Sequence, residues 1–389
     1  MTRSSFEYIV LGLGGLGSGA AYWLSRRAGA DVLGIEQFEC GHVRGESEDH
    51  SRIIRYSYHT PGYVELAKRA YDAWGIVGAE NGAPVVLRTG GLDVWPSGSI
   101  IPIETYTTSM QAAGIPYEQL DADEIMRRWP QWTLRGDEQG LFQADGGIAM
   151  AARATAAHQK LARAHGATLI ERAPVTGIRA DAGEVEVDVG GTTYRGRELV
   201  ITAGPWSNTA LGHLGVHLPL EVTQEQVTYF APRDVAAFQP ERFPVWIWMA
   251  DPCFYGFPIF GEAGTKAARD AGGRPVTAES RSFEPDREAV GAVEDFLGRY
   301  LPGARGPELY TKTCLYTLTP DRDFVIDAVP GHANVHVAIG AGHAFKFASA
   351  IGRILSEVAI DGWTPSDLAP FAIDRRILTM ANPPKSYMV

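Results

Sequence analysis

Cysteine is scarce. Cys40, Cys253 and Cys314 are the only three in 389 residues, too few and too scattered for a disulfide framework or a zinc site, so each needs its own explanation. Basic charge is also in deficit, with 35 Lys and Arg against 46 Asp and Glu. The formal charge of −11 argues against a nucleic-acid or anionic-membrane surface and for solubility, although a local basic site is still possible. Apolar runs of membrane-spanning length are missing, and Met-Thr-Arg-Ser-Ser leads into the first strand without an apolar leader segment or cleavage site. The expectation is a cytoplasmic protein. What the chain does have is length for two domains and 45% hydrophobic residues to fill their cores.

The most informative stretch is Phe6 to Ser18. Ile9, Val10 and Leu11 read as a buried strand bounded at once by glycines, and Gly12, Gly14 and Gly17 fit G-x-G-x-x-G. The first glycine allows the tight turn, the second lets backbone approach a pyrophosphate, and the third lets the following helix pack against the strand. That helix, from about Leu16 to Arg26, points its N-terminal amides at the phosphate. A second strand, Asp31 to Glu36, ends in an acid about twenty residues beyond the loop, where a ribose hydroxyl would donate to it. Strand, loop, helix, strand and acid in this order predict an adenine dinucleotide site. Its N-terminal position favours FAD over NAD by association with other flavoproteins.

Further along, Ser51-Arg-Ile-Ile-Arg55 spaces Arg52 and Arg55 three apart, which at helical spacing puts both guanidinia on one face. They would either grip an anion or form a solvated face. Gly62 to Trp74 has the apolar spacing of an amphipathic helix. From Ala83 the pattern turns to short alternating runs, as expected of a mixed sheet inserted into the first domain, and the aromatic-rich strands after Leu218 continue it. Glu198 to Ser207 is a buried strand ending in a glycine turn, where backbone either approaches a ligand or simply turns tightly. Asn334 to Gly340 runs through Gly342 and His343 into a helix from Phe347, with Lys346 at the junction. That junction is either a second anion site or an ordinary turn with an exposed lysine. The fold class expected is α/β: a Rossmann-like dinucleotide domain from residues 1–82, 146–217 and 310–389, and a mixed-sheet α+β substrate domain from 83–145 and 218–309.

Several motifs in order, spread over nearly the whole chain, are similar to the monomeric sarcosine oxidase family of flavoenzymes, which includes N-methyltryptophan and pipecolate oxidases. They are the N-terminal glycine loop, Ser51-Arg-Ile-Ile-Arg55, Arg128-Trp-Pro130, Tyr255-Gly-Phe-Pro258 with Gly264-Thr-Lys266, Thr313-Cys-Leu-Tyr-Thr317 with Thr319-Pro-Asp321, and Gly342-His-Ala-Phe-Lys-Phe347. The resemblance implies FAD, bound by Gly12, Gly14, Gly15, Leu16, Gly17, Glu36, Ser51, Val175, Gly204, Trp206, Gly342 and His343. Cys314, on sequence alone a small buried hydrophobe, resembles the cysteine that forms a thioether with the flavin. Arg55 and Lys346 resemble the pair that holds a substrate carboxylate, Arg52 the cation set against the flavin ring, and Lys266 the lysine beside flavin N5 that assists oxygen reduction. Tyr255 and Tyr316 resemble pocket tyrosines, with aromatic packing as the equal reading. Asp270 and Glu48 stand where sarcosine oxidases carry histidines, so the carboxylate clamp carries over and the identity of the amine does not.

The activity implied is oxidation of a secondary amino acid, N-methyl or cyclic, by hydride transfer to flavin N5. Imine hydrolysis and reduction of oxygen to hydrogen peroxide would follow. The expected partners are a small amine substrate and oxygen, with no nucleic acid or membrane, and the chain is expected to act as a monomer. The alternatives are an oxidase for a bulkier amine such as pipecolate or a fructosyl amino acid, an NAD-linked dehydrogenase, and a flavin-binding protein without turnover.

Overall fold

A computed structural model of the chain describes residues 3–181 and 183–386. Its organising layer is a six-stranded sheet in the spatial order Val325–Val329, His332–Ile339, Glu198–Ile201, Tyr8–Leu11, Val32–Ile35, Thr168–Ile170. All neighbours in it run parallel except the first pair. Successive side chains of a strand point to opposite faces, and the central strand uses both. Tyr8 and Val10 pack with Leu24 of helix Gly15–Ala28, Leu161 of helix Ala151–Ala164 and Ile351 of helix Ala348–Asp361. Ile9 and Leu11 face the other way onto Ile178, Val185 and Val187 of a three-stranded antiparallel sheet, Val175–Asp181, Glu184–Val189 and Thr192–Gly196. Each aliphatic side chain so buried contributes about 1.5–3 kcal/mol.

The glycine loop is held from below. Gly12 has φ +85°, and a Cβ on Gly17 would lie 1.8 Å from the carbonyl oxygen of Gly12, so only glycine lets the helix start this close to the strand.

The second layer is a nine-stranded mixed sheet that includes Gly91–Trp95, Glu221–Phe230, Val245–Trp248, Phe254–Phe257 and Thr265–Arg269. Trp246, Trp248 and Phe254 turn outward onto Phe296 and Leu297 of helix Arg287–Tyr300. The alternate positions Ile247, Tyr255 and Phe257 face inward onto a cavity between the sheets.

Two expectations are corrected. Strand Glu308–Leu318, placed by sequence mostly with the dinucleotide domain, hydrogen-bonds to Glu221–Phe230 along its length and belongs to the large sheet. A β-rich segment pairs where an open sheet edge is available, which sequence order alone does not reveal. Arg52–Ile54 is a strand rather than a helical turn, paired with Gly147–Ala149. Its β-branched Ile53 and Ile54 fit a pleated sheet better than a helix.

Candidate active site

A cleft opens between the two sheets at the end of the central strand. One cavity of about 220 Å³ runs past the Gly12–Gly17 loop, Glu36, Val175, Gly204 and Trp206. A second, of about 140 Å³, is lined by Arg52, Arg55, Tyr255, Asp270, Tyr316 and Lys346, with Gly342 and His343. They share Gly15, Leu16, Glu46, Ser47 and Gly340, so together they form one elongated groove. At its far end Glu36 is buried, with Oε2 accepting from Leu13 N–H at 2.9 Å and Oε1 from Phe38 N–H at 3.1 Å. Burial works against the charge, but these bonds and His42 together hold its carboxyl below the usual range, so an acid waits there ionised.

The other end is dense in charge. Arg55 Nη1 donates to Asp93 Oδ2 at 3.0 Å, both side chains being almost fully buried, and Ser57 donates to the same oxygen. Arg55 Nε is buried without a hydrogen-bond partner, and among the described residues no hydrogen bond or ion pair engages Lys346 Nζ. Burial, with Arg55 adding to it, pushes the Lys346 ammonium down to about 7. Arg52 is tied to its own loop, donating to the carbonyls of Ser51, Glu46 and Glu48, each at 2.9 Å. Asp270 Oδ2 accepts from the buried Arg322 at 2.9 Å and Oδ1 from Tyr316 OH at 3.4 Å. Its charge is thus offset. His343 Nε2 faces the Arg322 carbonyl at 2.8 Å, and burial drives its pKa well below the ordinary value, so the ring is neutral.

Lys266 lies behind, with Nζ donating to Asp49 Oδ2 and to the Ser51 carbonyl, both at 2.8 Å. Cys314 borders a small adjoining cavity together with Arg52, Tyr255 and Tyr316. Burial pushes its thiol up to about 12, against the pull of Arg52. Glu48 is not brought into the charged cavity. It pairs with Lys312 beside that smaller one, and it also borders the groove at the glycine loop.

A family model described as DAO, FAD dependent oxidoreductase, matches residues 7–358. The chain belongs to that family. Among curated relatives of this FAD-dependent oxidoreductase is the monomeric sarcosine oxidase of Streptomyces avermitilis, 36% identical over 94% of this chain and 97% of the relative. An N-methyl-L-tryptophan oxidase of Salmonella heidelberg is 31% identical over 95% and 99%. A similar solved structure is the open form of NikD, described as an unusual amino acid oxidase essential for nikkomycin biosynthesis, with TM-score 0.84 and 25% identity over 100% of this chain and 99% of that one. The family sets aside the NAD-linked alternative.

The groove's donors fit FAD. A glycine loop and helix N-terminus suit its pyrophosphate, the ionised Glu36 suits a ribose hydroxyl, and the apolar Ile53, Ile247, Phe257 and Phe345 suit a flat ring. Sequence reasoning missed Asp49, Asp93, Ser57 and Arg322. A signal for Asp93 was available, since an acid inside the apolar run Gly91–Trp95, buried throughout, demands a cation. No such signal marks Asp49, whose partners come from strands far along the chain.

Proposed function

We propose that this FAD-dependent oxidoreductase oxidises a carboxylated secondary amine, an N-methyl or cyclic amino acid, at the C–H next to nitrogen. The amine gives up two electrons and two protons, water hydrolyses the resulting imine, and oxygen takes up the electrons and protons as hydrogen peroxide. The observation that carries this reading is the pair of cations at one cavity. Arg55 offers a buried, unpartnered Nε–H, and Lys346 has an ammonium that makes no hydrogen bond or ion pair among the described residues. A carboxylate answers both, through a planar fork and a point charge.

FAD, when bound, supplies the two-electron acceptor. The chain's own residues supply position and exclusion. Arg55 and Lys346 would fix the carboxylate, while Ile53, Ile247, Met249 and Phe257 keep water from the reacting carbon. The same two cations disfavour an ammonium beside them, so the substrate nitrogen sheds its proton on binding and keeps a lone pair for the reaction. Glu36 and the Gly12–Gly17 loop, with Val175, Gly204 and Trp206, would hold the adenosine and pyrophosphate. Arg52, Ser51, Gly342 and His343 would hold the ring, with Lys266 beside its reactive edge and Cys314 as a covalent anchor. Support for a substrate of this class also comes from the names of the relatives. Arg322 offsets the charge of Asp270 at this cavity.

The test is anaerobic bleaching of the bound flavin by N-methyl and cyclic amino acids and by the same amines without their carboxylate. Bleaching by the acids at far lower concentration is expected. Equal potency of the decarboxylated amines would remove the clamp.

A further inference from the structure

Asp49 stands in a costly conformation. Its φ of 122° lies in the region that favours glycine, and two backbone bonds lock it there, from Ala152 N–H to the Asp49 carbonyl at 3.0 Å and from Ala151 N–H to that of His50 at 3.1 Å. The carboxylate so aimed is 4% exposed. Oδ2 accepts from Lys266 Nζ at 2.8 Å, Oδ1 accepts from Tyr229 OH at 2.8 Å, and Arg52 Nη1 lies 3.6 Å from Oδ2. Lys266 itself is 2% exposed, with Nζ 4.1 Å from the centre of the Phe257 ring. An ammonium in such surroundings tends to discharge unless an anion faces it.

We propose that Asp49 is the counter-ion that keeps Lys266 charged and aimed at the flavin, a positioning residue for the return of electrons to oxygen. The inference rests on Lys266 being the oxygen-side lysine. Among the described residues, the other groups packed around it cannot take this part. Arg52 is a cation, burial pushes the Cys314 thiol up to about 12, and burial likewise keeps Tyr229 and Tyr255 as neutral phenols. Tyr310, stacked on Tyr229, passes its hydroxyl to Glu262, which also holds His50. These belong to a layer beyond Asp49. Burial already brings Lys266 down to about 8, with Arg52 adding to the effect and Asp49 opposing it. Loss of the carboxylate therefore moves the ionisation further down.

The experiment uses holoenzyme carrying Asp49→Asn, which keeps the shape, and Asp49→Gly, which also relieves the backbone. Reoxidation of the reduced enzyme by oxygen is followed against pH, alongside anaerobic reduction by substrate and the visible absorbance of the oxidised flavin titrated without substrate. In the wild type, reoxidation falls as pH rises through one ionisation. In both variants that ionisation shifts down by a unit or more, so reoxidation slows by about twofold or more at pH 7 and about tenfold or more at pH 9 and recovers in acid, while reduction is unaffected. The absorbance titration shifts by the same amount, independently of turnover. An unmoved ionisation, or slowing that is equal at every pH, overturns the proposal. Lys266→Met tests the underlying reading separately: wild-type reoxidation in that variant would sink the lysine's role, while the absorbance titration of the two Asp49 variants would still report on the pair.

Discussion

Replacing Arg55 with methionine separates two jobs that one side chain performs. Arg55 and Asp93 form an ion pair at 3.0 Å with side-chain exposures of 7% and 5%. Removing one partner of such a pair strands the other charge, a loss of about 3–5 kcal/mol. The Ser57 hydroxyl, which donates to the same carboxylate, would remain. For a chain of this size the melting temperature of the holoenzyme is expected to fall by about 4–6 °C. Binding suffers separately. A charge-assisted hydrogen bond to a carboxylate is worth about 1.5–3 kcal/mol, so the dissociation constant for a carboxylated amine rises about ten- to hundred-fold. Adding Asp93→Asn removes the stranded charge, and the double variant regains most of the melting temperature without regaining affinity. Thermal melting and anaerobic flavin-bleaching titrations measure the two quantities independently. Arg55→Met melting with the wild type would refute the buried pair, and recovery of affinity in the double variant would refute Arg55 as a substrate contact.

Other outcomes follow from the same geometry. Lys346 is held down to about 7 in the free enzyme, so binding of an amine-free carboxylate inhibitor is constant below that pH and weakens as pH rises through it; Lys346→Met should abolish the inflection, and its persistence would assign it to another group. In Cys314→Ala all flavin should be released by acid denaturation, whereas in the wild type the yellow colour should stay with the polypeptide; colour retained by the variant would place any linkage elsewhere. Gly17→Ala forces a Cβ to 1.8 Å from the Gly12 carbonyl oxygen, so it should purify without flavin or fail to accumulate; a variant with full flavin content would contradict the loop geometry.

The parts of this molecule governed by local pattern were legible from sequence. Strand Tyr8–Leu11, its glycine turn and the acid at Glu36 were read from spacing, because the period of a strand and the conformational demands of a turn are written into adjacent residues. The inner and outer faces of Val245–Trp248 likewise follow from alternation. What sequence could not supply was the pairing of charges across the fold. Asp93 meets Arg55 from a different sheet, and Asp270 meets Arg322 from a strand to a distant turn. Asp270, an acid where the resemblance has a histidine, is a neutralised pair once Arg322 is beside it. Glu48 shows the same limit, because its partner Lys312 lies 264 residues along the chain. The strand character of Arg52–Ile54 was within reach of the β-branched pair, but the helical spacing of its two arginines was weighed instead.

The position of strand Glu308–Leu318 has a mechanical consequence. Cys314 stands on it opposite Glu225, hydrogen-bonded into the large sheet, while the glycine loop hangs from the six-stranded one. A ligand seated on that loop and bonded to this sulfur would act as a rivet through both sheets, resisting any opening of the cleft by shear. Loading the cofactor would then stiffen the cleft as well as arm the chemistry, and amide exchange at Glu221–Phe230 would slow on attachment even though those residues are not part of the loop.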